Sequence, residues 1–360
     1  MDTRRTDTLQ QLLQELSQVS GAPGQEQPVR QVMQRYLEPL GEVLSDNLGG
    51  IACRKVGQAD GPKIMLAGHM DEVGFLVRRI TRDGFLKFQP LGGWSSQVLL
   101  SHRVEVSTRN GPLVGVIGAK PRHLTPPEER QKLIEPEEMY IDIGASSAEE
   151  AMAWGVRPGD PIVPISPLTV LHNEKLLMAK AWDNRVGCAL VIEVLRRMQH
   201  QPHPNIIYGV ATVQEEIGLR GAKTMANLVA PDIGLILEGC PAADTPDVSF
   251  DESTVALGRG PAISLYDRSM VPHVGLRNLV MDCAEAQGIP IQYRVSRGGT
   301  DGGEIHLSGK GVPSLVVSVP ARYIHSHNAI LHLDDVVQTA RLMVAVVHRL
   351  DAGTVARIKQ

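Results

Sequence analysis

Five short segments of the 360-residue chain place metal-capable side chains at or just after the ends of apolar runs. They are Gly68-His69-Met70-Asp71, Ala181-Trp182-Asp183-Asn184-Arg185, Val213-Gln214-Glu215-Glu216-Ile217-Gly218, Leu237-Glu238-Gly239 and Tyr323-Ile324-His325-Ser326-His327. Together they supply imidazoles and carboxylates and no thiolate, a donor set that suits Zn²⁺, Co²⁺ or Mn²⁺. The segments lie far apart in the chain, so spacing alone proves little and only a fold can assemble them.

Each segment also has a plainer reading. His69 is one of 12 histidines, and a lone histidine is usually structural. A Glu-Glu pair is usually solvated surface, but Glu215-Glu216 directly follows the apolar run from Ile206 to Val213. Two carboxylates at a strand end repel unless a cation or a proton sits between them. Asp183, ahead of an apolar helix, reads on its own as an N-cap. Glu238 ends an apolar strand, where a buried carboxylate is costly without a partner. His102 and His327 have no such context and read as structural.

The elements that must position these groups follow from periodicity. Leu9, Leu12, Leu13 and Leu16 predict a helix over 6–19, and Val29, Val32, Met33 and Leu37 a second over 27–39, both lying outside a sheet. Gly21-Ala22-Pro23-Gly24 breaks the chain between them. Residues 63–67 form a buried strand ending in His69-Met70-Asp71-Glu72, the usual place for a ligand in an open α/β sheet. From 74 to 166 the texture changes to short strands, at 74–80, 85–90, 103–107, 113–117 and 138–143, with Asn110-Gly111 as a hairpin signal. After 167 the α/β texture returns, with helices at 186–198, 276–286 and 334–350 and strands at 205–213, 232–237 and 315–319. The pattern predicts an α/β catalytic domain (1–73 and 167–360) split by an inserted small all-β, barrel-like domain (74–166).

Composition bounds the function. Hydrophobic residues make up 42% and charged residues 21%, within the globular range. A net charge of −4 leaves no basic excess to neutralise phosphates, so no nucleic-acid partner is expected. Only 4% of residues are aromatic, which argues against a surface that stacks bases or sugars. Four dispersed cysteines form no Cys-x-x-Cys pair, so a cysteine zinc site is not expected. No long apolar run or leader-like start occurs, so the chain reads as soluble and cytoplasmic, without a membrane partner.

The five segments, in this order, resemble the M42 family of metallo-aminopeptidases, which includes proteins labelled cellulase or endoglucanase M. The resemblance covers nearly the whole chain and rests on Gly68-His69-Met70-Asp71-Glu72-Val73-Gly74-Phe75, Asp183-Asn184-Arg185 and Glu215-Glu216-Ile217-Gly218-Leu219-Arg220-Gly221-Ala222. It implies an open mixed-sheet, zinc-peptidase-like fold and two divalent ions per chain, zinc or cobalt, with manganese as a further option. By the resemblance His69, Asp183 and Glu238 hold one ion, and Asp183, Glu216 and His325 the other, with Asp183 bridging. Glu215 is then the general base, and Asp71 orients His69. In Arg297-Gly298-Gly299-Thr300-Asp301-Gly302-Gly303 the resemblance favours a loop at the site mouth, with Thr300 and Asp301 near the substrate; a flexible turn is the alternative. Arg322 reads as a surface salt bridge. Two departures stand out: Glu238 where family members with peptidase activity often have Asp, and Ser326-His327 where the family often has Ser-Pro.

The expected activity is an aminopeptidase that removes N-terminal residues from short peptides through a metal-activated water. The resemblance also implies a homo-oligomer, up to a tetrahedral dodecamer, with contacts made by the inserted domain. Hydrolysis of another small amide, such as an acylated amino acid or sugar, is the alternative. A glycosidase needs two carboxyls flanking a sugar and usually no metal. A non-catalytic binding protein would have lost the base or a ligand, and none is lost.

Overall fold

The computed structural model describes residues 3–248 and 255–360. Two helices open the chain, α1 (Thr3–Gln18) and α2 (Gln27–Leu37). Three strands follow, β1 (Glu42–Ser45), β2 (Ile51–Val56) and β3 (Lys63–His69). The next strands are β4 (Gly74–Ile80), β5 (Leu86–Leu91), β6 (Arg103–Thr108), β7 (Gly111–Gly118), β8 (Tyr140–Asp142) and β9 (Pro161–Pro164), with the short helix α3 (Ala148–Ala153) before β9. They close a barrel in the order β4-β5-β8-β7-β6-β9 around Phe75, Val77, Phe88, Val104, Val106 and Ile141.

The chain then returns to the first sheet. It runs through β10 (Thr169–Val170), β11 (Leu176–Ala179), α4 (Trp182–Arg197), β12 (Ile206–Thr212), α5 (Arg220–Val229) and β13 (Ile233–Pro241). It ends with β14 (Ala262–Tyr266), α6 (Val274–Ala286), β15 (Gln292–Val295), α7 (Gly302–Ile305), β16 (Ser314–Arg322), β17 (Ala329–His332), α8 (Leu333–Arg349) and α9 (Ala352–Ile358). The large sheet has the order β1-β2-β12-β3-β13-β16-β17-β11-β10, with β14 and β15 alongside β16.

Its four central strands, β12, β3, β13 and β16, are mutually parallel, and the flanking β2 and β17 run antiparallel. Every residue of β12 is buried, as expected of a strand covered on both faces. One face carries α4 with α1, α2, α6 and α8 around it; the other carries α5 and α7 through Ala222, Met225, Val229 and Ile305. Register sets the site: Thr212 pairs with His69, Ile236 with Ala67, and Glu238 with Ser318. The carboxyl ends of all four parallel strands therefore finish together, where ligands bind in open α/β sheets.

Most expected elements are present, with shifted ends. The segment expected as a strand from 138 to 143 is a strand only at β8 (Tyr140–Asp142), because Glu138 closes a 3-10 turn that begins at Pro136. In the hairpin at Asn110-Gly111, Gly111 already pairs with Thr108, so Arg109 and Asn110 make the turn. Strands β1, β2, β14, β15 and β17 were not among the expected elements, nor was helix α5, although its buried Ala222, Met225, Ala226 and Val229 recur at helical spacing. Among the described residues, no helix is long and apolar enough to cross a membrane.

Candidate metal centre

His69 is the last residue of β3, Glu215 and Glu216 follow β12, Glu238 lies within β13, and His325 follows β16. Asp183 comes from the opposite direction, in the first turn of α4. Glycines let that turn sink between the strands: a Cβ on Gly187 would lie 2.2 Å from the Leu237 carbonyl oxygen, and one on Gly68 2.7 Å from the Gly187 carbonyl carbon. Asn184 fastens the turn, donating Nδ2–H to the Leu237 carbonyl at 2.8 Å while its Oδ1 accepts the Gly187 N–H at 2.9 Å. Asp183 has non-helical dihedrals (φ −86°, ψ 101°), and its carboxylate turns toward two imidazoles. The N-cap reading of Asp183 therefore gives way; regular helix begins after Asn184 (φ −129°, ψ 43°), whose Oδ1 takes the Gly187 N–H as an N-cap does.

The result is a compact cluster. His69 Nε2 lies 3.2 Å from Asp183 Oδ1, 3.4 Å from Glu238 Oε1 and 3.8 Å from Glu215 Oε2. His325 Nε2 lies 3.3 Å from Asp183 Oδ2 and 3.5 Å from Glu216 Oε1. The two oxygens of Asp183 thus face different histidines, each with a further carboxylate. Side-chain ligand atoms of His69, Glu215 and Glu238 lie within 4.8 Å of one another, as do those of His69, Asp183 and Glu216.

Three acidic side chains outside the cluster shape it. Asp71 is fully buried, and its Oδ1 and Oδ2 accept the backbone N–H groups of Glu215 and Glu216, each at 3.0 Å. The same Oδ1 is 3.4 Å from His69 Nδ1, so one carboxylate touches both the His69 ring and the Glu215-Glu216 turn. Glu26 Oε1 accepts the preceding N–H of this loop, from Gln214, at 3.0 Å and that of Gly24 at 2.7 Å. Glu72 is buried between Lys180 Nζ at 2.5 Å and Arg185 Nη2 at 3.0 Å. Arg185, fully buried, also donates Nε–H to the Met70 carbonyl at 2.7 Å and Nη1–H to the Val19 carbonyl at 2.8 Å. Sequence reasoning missed Glu26 and the role of Glu72; nothing in their local pattern marks them.

The electrostatics describe four carboxylates, Asp183, Glu215, Glu216 and Glu238, facing only two imidazoles. Burial, with the Asp183 charge adding to it, pushes the Glu216 carboxyl up to about 8, and burial pushes Glu238 up to about 7. Glu215 is raised well above the usual range by burial and by the Glu238, Asp301 and Glu216 charges, which outweigh the attraction of His69. Burial works against charged Asp183, yet the hydrogen bonds to His325 and His69 outweigh it and hold this carboxyl below the usual range. Burial lowers His325, but Asp183 and Glu216 win and carry it up to about 9. Both oxygens of Glu238 and Oε1 of Glu216 are buried without a hydrogen-bond partner. Such orphaned acceptors are costly unless a cation takes them. This donor set of imidazoles and carboxylates fits a divalent transition metal.

The cluster forms the floor of a cleft of about 650 Å³. Its walls include Gly93, Leu219, Arg268, Ser269, Arg294 and the glycine-rich loop at Gly298-Gly299-Thr300. Thr300 lines the cleft and donates its hydroxyl to Asp267 Oδ2 at 3.0 Å. Asp301, expected beside the substrate, lies behind this wall, with 1% exposure and Oδ2 accepting the Thr212 hydroxyl at 2.5 Å. Among the described residues neither Arg268 nor Arg294 forms an ion pair; Arg294 Nη1 donates to the Ser318 hydroxyl at 3.1 Å. Arg322 makes a salt bridge to Asp244 at 2.6 Å, away from the cluster, as expected. His102 and His327 stack on each other with ring centroids 3.9 Å apart, as packing residues.

The profile of the M42 glutamyl aminopeptidase family matches residues 49–342. The glutamyl aminopeptidase of Lactococcus lactis subsp. cremoris is 35% identical, over 96% of this chain and 97% of its own length. A TET aminopeptidase crystal structure from the marine sediment archaeon Thaumarchaeota archaeon SCGC AB-539-E09 superposes with a TM-score of 0.96 at 45% identity, over 98% of this chain and 99% of that one. The Pyrococcus horikoshii TET1 peptidase, reported to assemble into a tetrahedron or a large octahedral shell, superposes with a TM-score of 0.85 at 32% identity, over 95% of this chain and 100% of that one. On these matches the chain belongs to the M42 glutamyl aminopeptidase family and is an aminopeptidase.

Proposed function

We propose that the chain is a two-metal aminopeptidase that removes N-terminal residues, acidic ones foremost, from short peptides. The observation that carries the two-metal reading is Asp183, whose two oxygens face two imidazoles that each have a second carboxylate at hand. In this reading His69, Asp183 and Glu238 hold one divalent ion, and Asp183, Glu216 and His325 hold the other, zinc or cobalt, with manganese as a further option. Bound there, the pair would polarise the scissile carbonyl and acidify a water.

Glu215 is assigned as the base. Of the three carboxylates within 4 Å of His69 Nε2 it is the farthest, at 3.8 Å, and its side chain is more open to the cleft than Glu216 or Glu238, at 12% exposure against 5% for each. It takes a proton from the attacking water and passes it to the departing amine as the C–N bond breaks. Asp71 fixes the Glu215 backbone through the N–H bond already described. Arg294 and Arg268, cationic and without carboxylate partners among the described residues, suit an acidic side chain on the N-terminal residue. Thr300 shapes the same wall, and Asp301 supports it from behind.

In the same reading residues 1–73 and 167–360 form the catalytic domain, and 74–166 form an insert that makes oligomer contacts. Val114 at 63% exposure and Val116 at 40%, both on β7, give the barrel an apolar outer face for another copy. The test is a panel of aminoacyl-p-nitroanilides, assayed after EDTA and again after Zn²⁺, Co²⁺ or Mn²⁺ is restored. Metal-restored release, strongest from glutamyl or aspartyl substrates, is the expected result. No release with any metal from a chain loaded with two ions would overturn the assignment and move it to another amide.

A further inference from the structure

The inserted barrel reaches into the metal centre. After β5 the chain turns through Gly92-Gly93-Trp94, and the Gly93 carbonyl lies 2.9 Å from His325 Nδ1, where it accepts the ring N–H. A Cβ on Gly93 would lie 3.1 Å from the same Nδ1, and one on Gly92 (φ +87°) 3.2 Å from Glu216 Oε2. The two glycines therefore press against both side chains assigned, with Asp183, to the second ion. Their place is set by Trp94. Its indole stacks on Phe75 inside the barrel (4.8 Å, 18°), and its Nε1–H donates to the Gly74 carbonyl at 3.0 Å. His327 lies beside it, with centroids 5.5 Å apart, and is itself stacked on His102 of the barrel. The loop that carries His325 is thus held to the insert at both His325 and His327.

We propose that Gly93 and Trp94 are positioning residues for the second ion: the barrel, through this loop, sets the tautomer and the aim of His325. The indole fixes the loop, the Gly93 carbonyl holds the proton on Nδ1, and Nε2 is left as the ligand atom facing Asp183 and Glu216. Among the described residues no barrel group hydrogen-bonds or ion-pairs with His69 or Glu238, so the effect falls on one half of the centre. The inference rests on the two-ion reading above.

The test counts metal. Wild type, Trp94→Ala, Trp94→Phe and Gly93→Ala are stripped, titrated with Co²⁺, and followed by cobalt absorption and by metal analysis. Wild type should take two ions per chain. Trp94→Ala and Gly93→Ala should keep one ion with wild-type affinity and bind the other about 10–100-fold more weakly, the usual cost of losing a partner that orients a ligand. Trp94→Phe keeps a ring against Phe75 and should recover most of that affinity. Gly93→Ala leaves the barrel core intact, so it answers even where Trp94→Ala fails to fold. Two ions held by Gly93→Ala at wild-type affinity, or both weakened alike, would overturn the inference. Fewer than two ions in wild type would overturn the two-ion reading instead.

Discussion

Replacing Asp71 with asparagine is the most revealing change to the site, because the new side chain has the same shape and differs only in charge and hydrogen-bonding sense. Asp71 meets two backbone donors, Glu215 N–H and Glu216 N–H, at 3.0 Å each, in a fully buried position. An asparagine offers one oxygen and one NH₂ group. Whichever way it sits, a backbone N–H faces another donor and is left unsatisfied, which costs about 1–3 kcal/mol. The surviving bond loses its charge assistance, worth roughly another 1 kcal/mol. A total near 3 kcal/mol, at about 2.1 cal/mol/K of unfolding entropy per residue over this chain, corresponds to a fall in Tm of about 4 °C. The functional loss should exceed the stability loss. The turn that frees itself carries Glu215, and a shift of about 1 Å in a reacting group costs on the order of 100-fold. The assay is thermal unfolding of the metal-free chain beside kcat at saturating metal, on the best substrate from the panel. A Tm and a kcat both indistinguishable from wild type would refute the claim that Asp71 holds the turn.

Other perturbations separate the remaining roles. Glu215→Gln should keep full metal content while kcat falls by about 10²–10⁴-fold, the usual worth of a general base; lost metal would show Glu215 to be a ligand. Glu72→Gln removes the carboxylate shared by Lys180 and Arg185, leaving two buried cations, and should destabilise by about 3–5 kcal/mol in urea unfolding. Lys180→Met, which leaves Glu72 paired with Arg185, should cost clearly less, and an equal cost would contradict the shared-carboxylate account. Burial and the neighbouring His102 push His327 down to about 3, from an ordinary value of 6.5. Between those values the unfolded chain binds the extra proton, so the stability from this group is complete above pH 6.5 and is lost as pH falls toward 3. At ~1.4 kcal/mol per pH unit the loss is about 2 kcal/mol by pH 5. His327→Leu should flatten the stability curve between pH 6.5 and 5, and an unchanged slope would place the acid sensitivity elsewhere.

The parts of this protein legible in the sequence are those written in local patterns. Apolar runs that stop at His69, Glu215 and Glu238 mark strands buried on both faces, because a carboxylate or imidazole at such an end needs a partner. Leu9-Leu12-Leu13-Leu16 and Val29-Val32-Met33-Leu37 mark the covering helices. The change of texture after residue 74 marks a module with period-two strands, and the barrel that closes there has its core at Phe75, Phe88 and Val104. Other features depend on pairing between distant segments. That Asp183 is no helix cap follows from the depth to which Gly187 and Gly68 let α4 descend. That Asp301 lies behind the cleft wall follows from its bond to Thr212 on a neighbouring strand. Glu26 meets Gln214, and Gly93 meets His325, across separations that no local period encodes. Residue types along the chain determined which chemistry is available. The register of four parallel strands, and the return of the chain from the barrel, decided which groups come within a few ångströms of one another, because hydrogen bonds and ligand clusters are set by distances that only tertiary packing establishes.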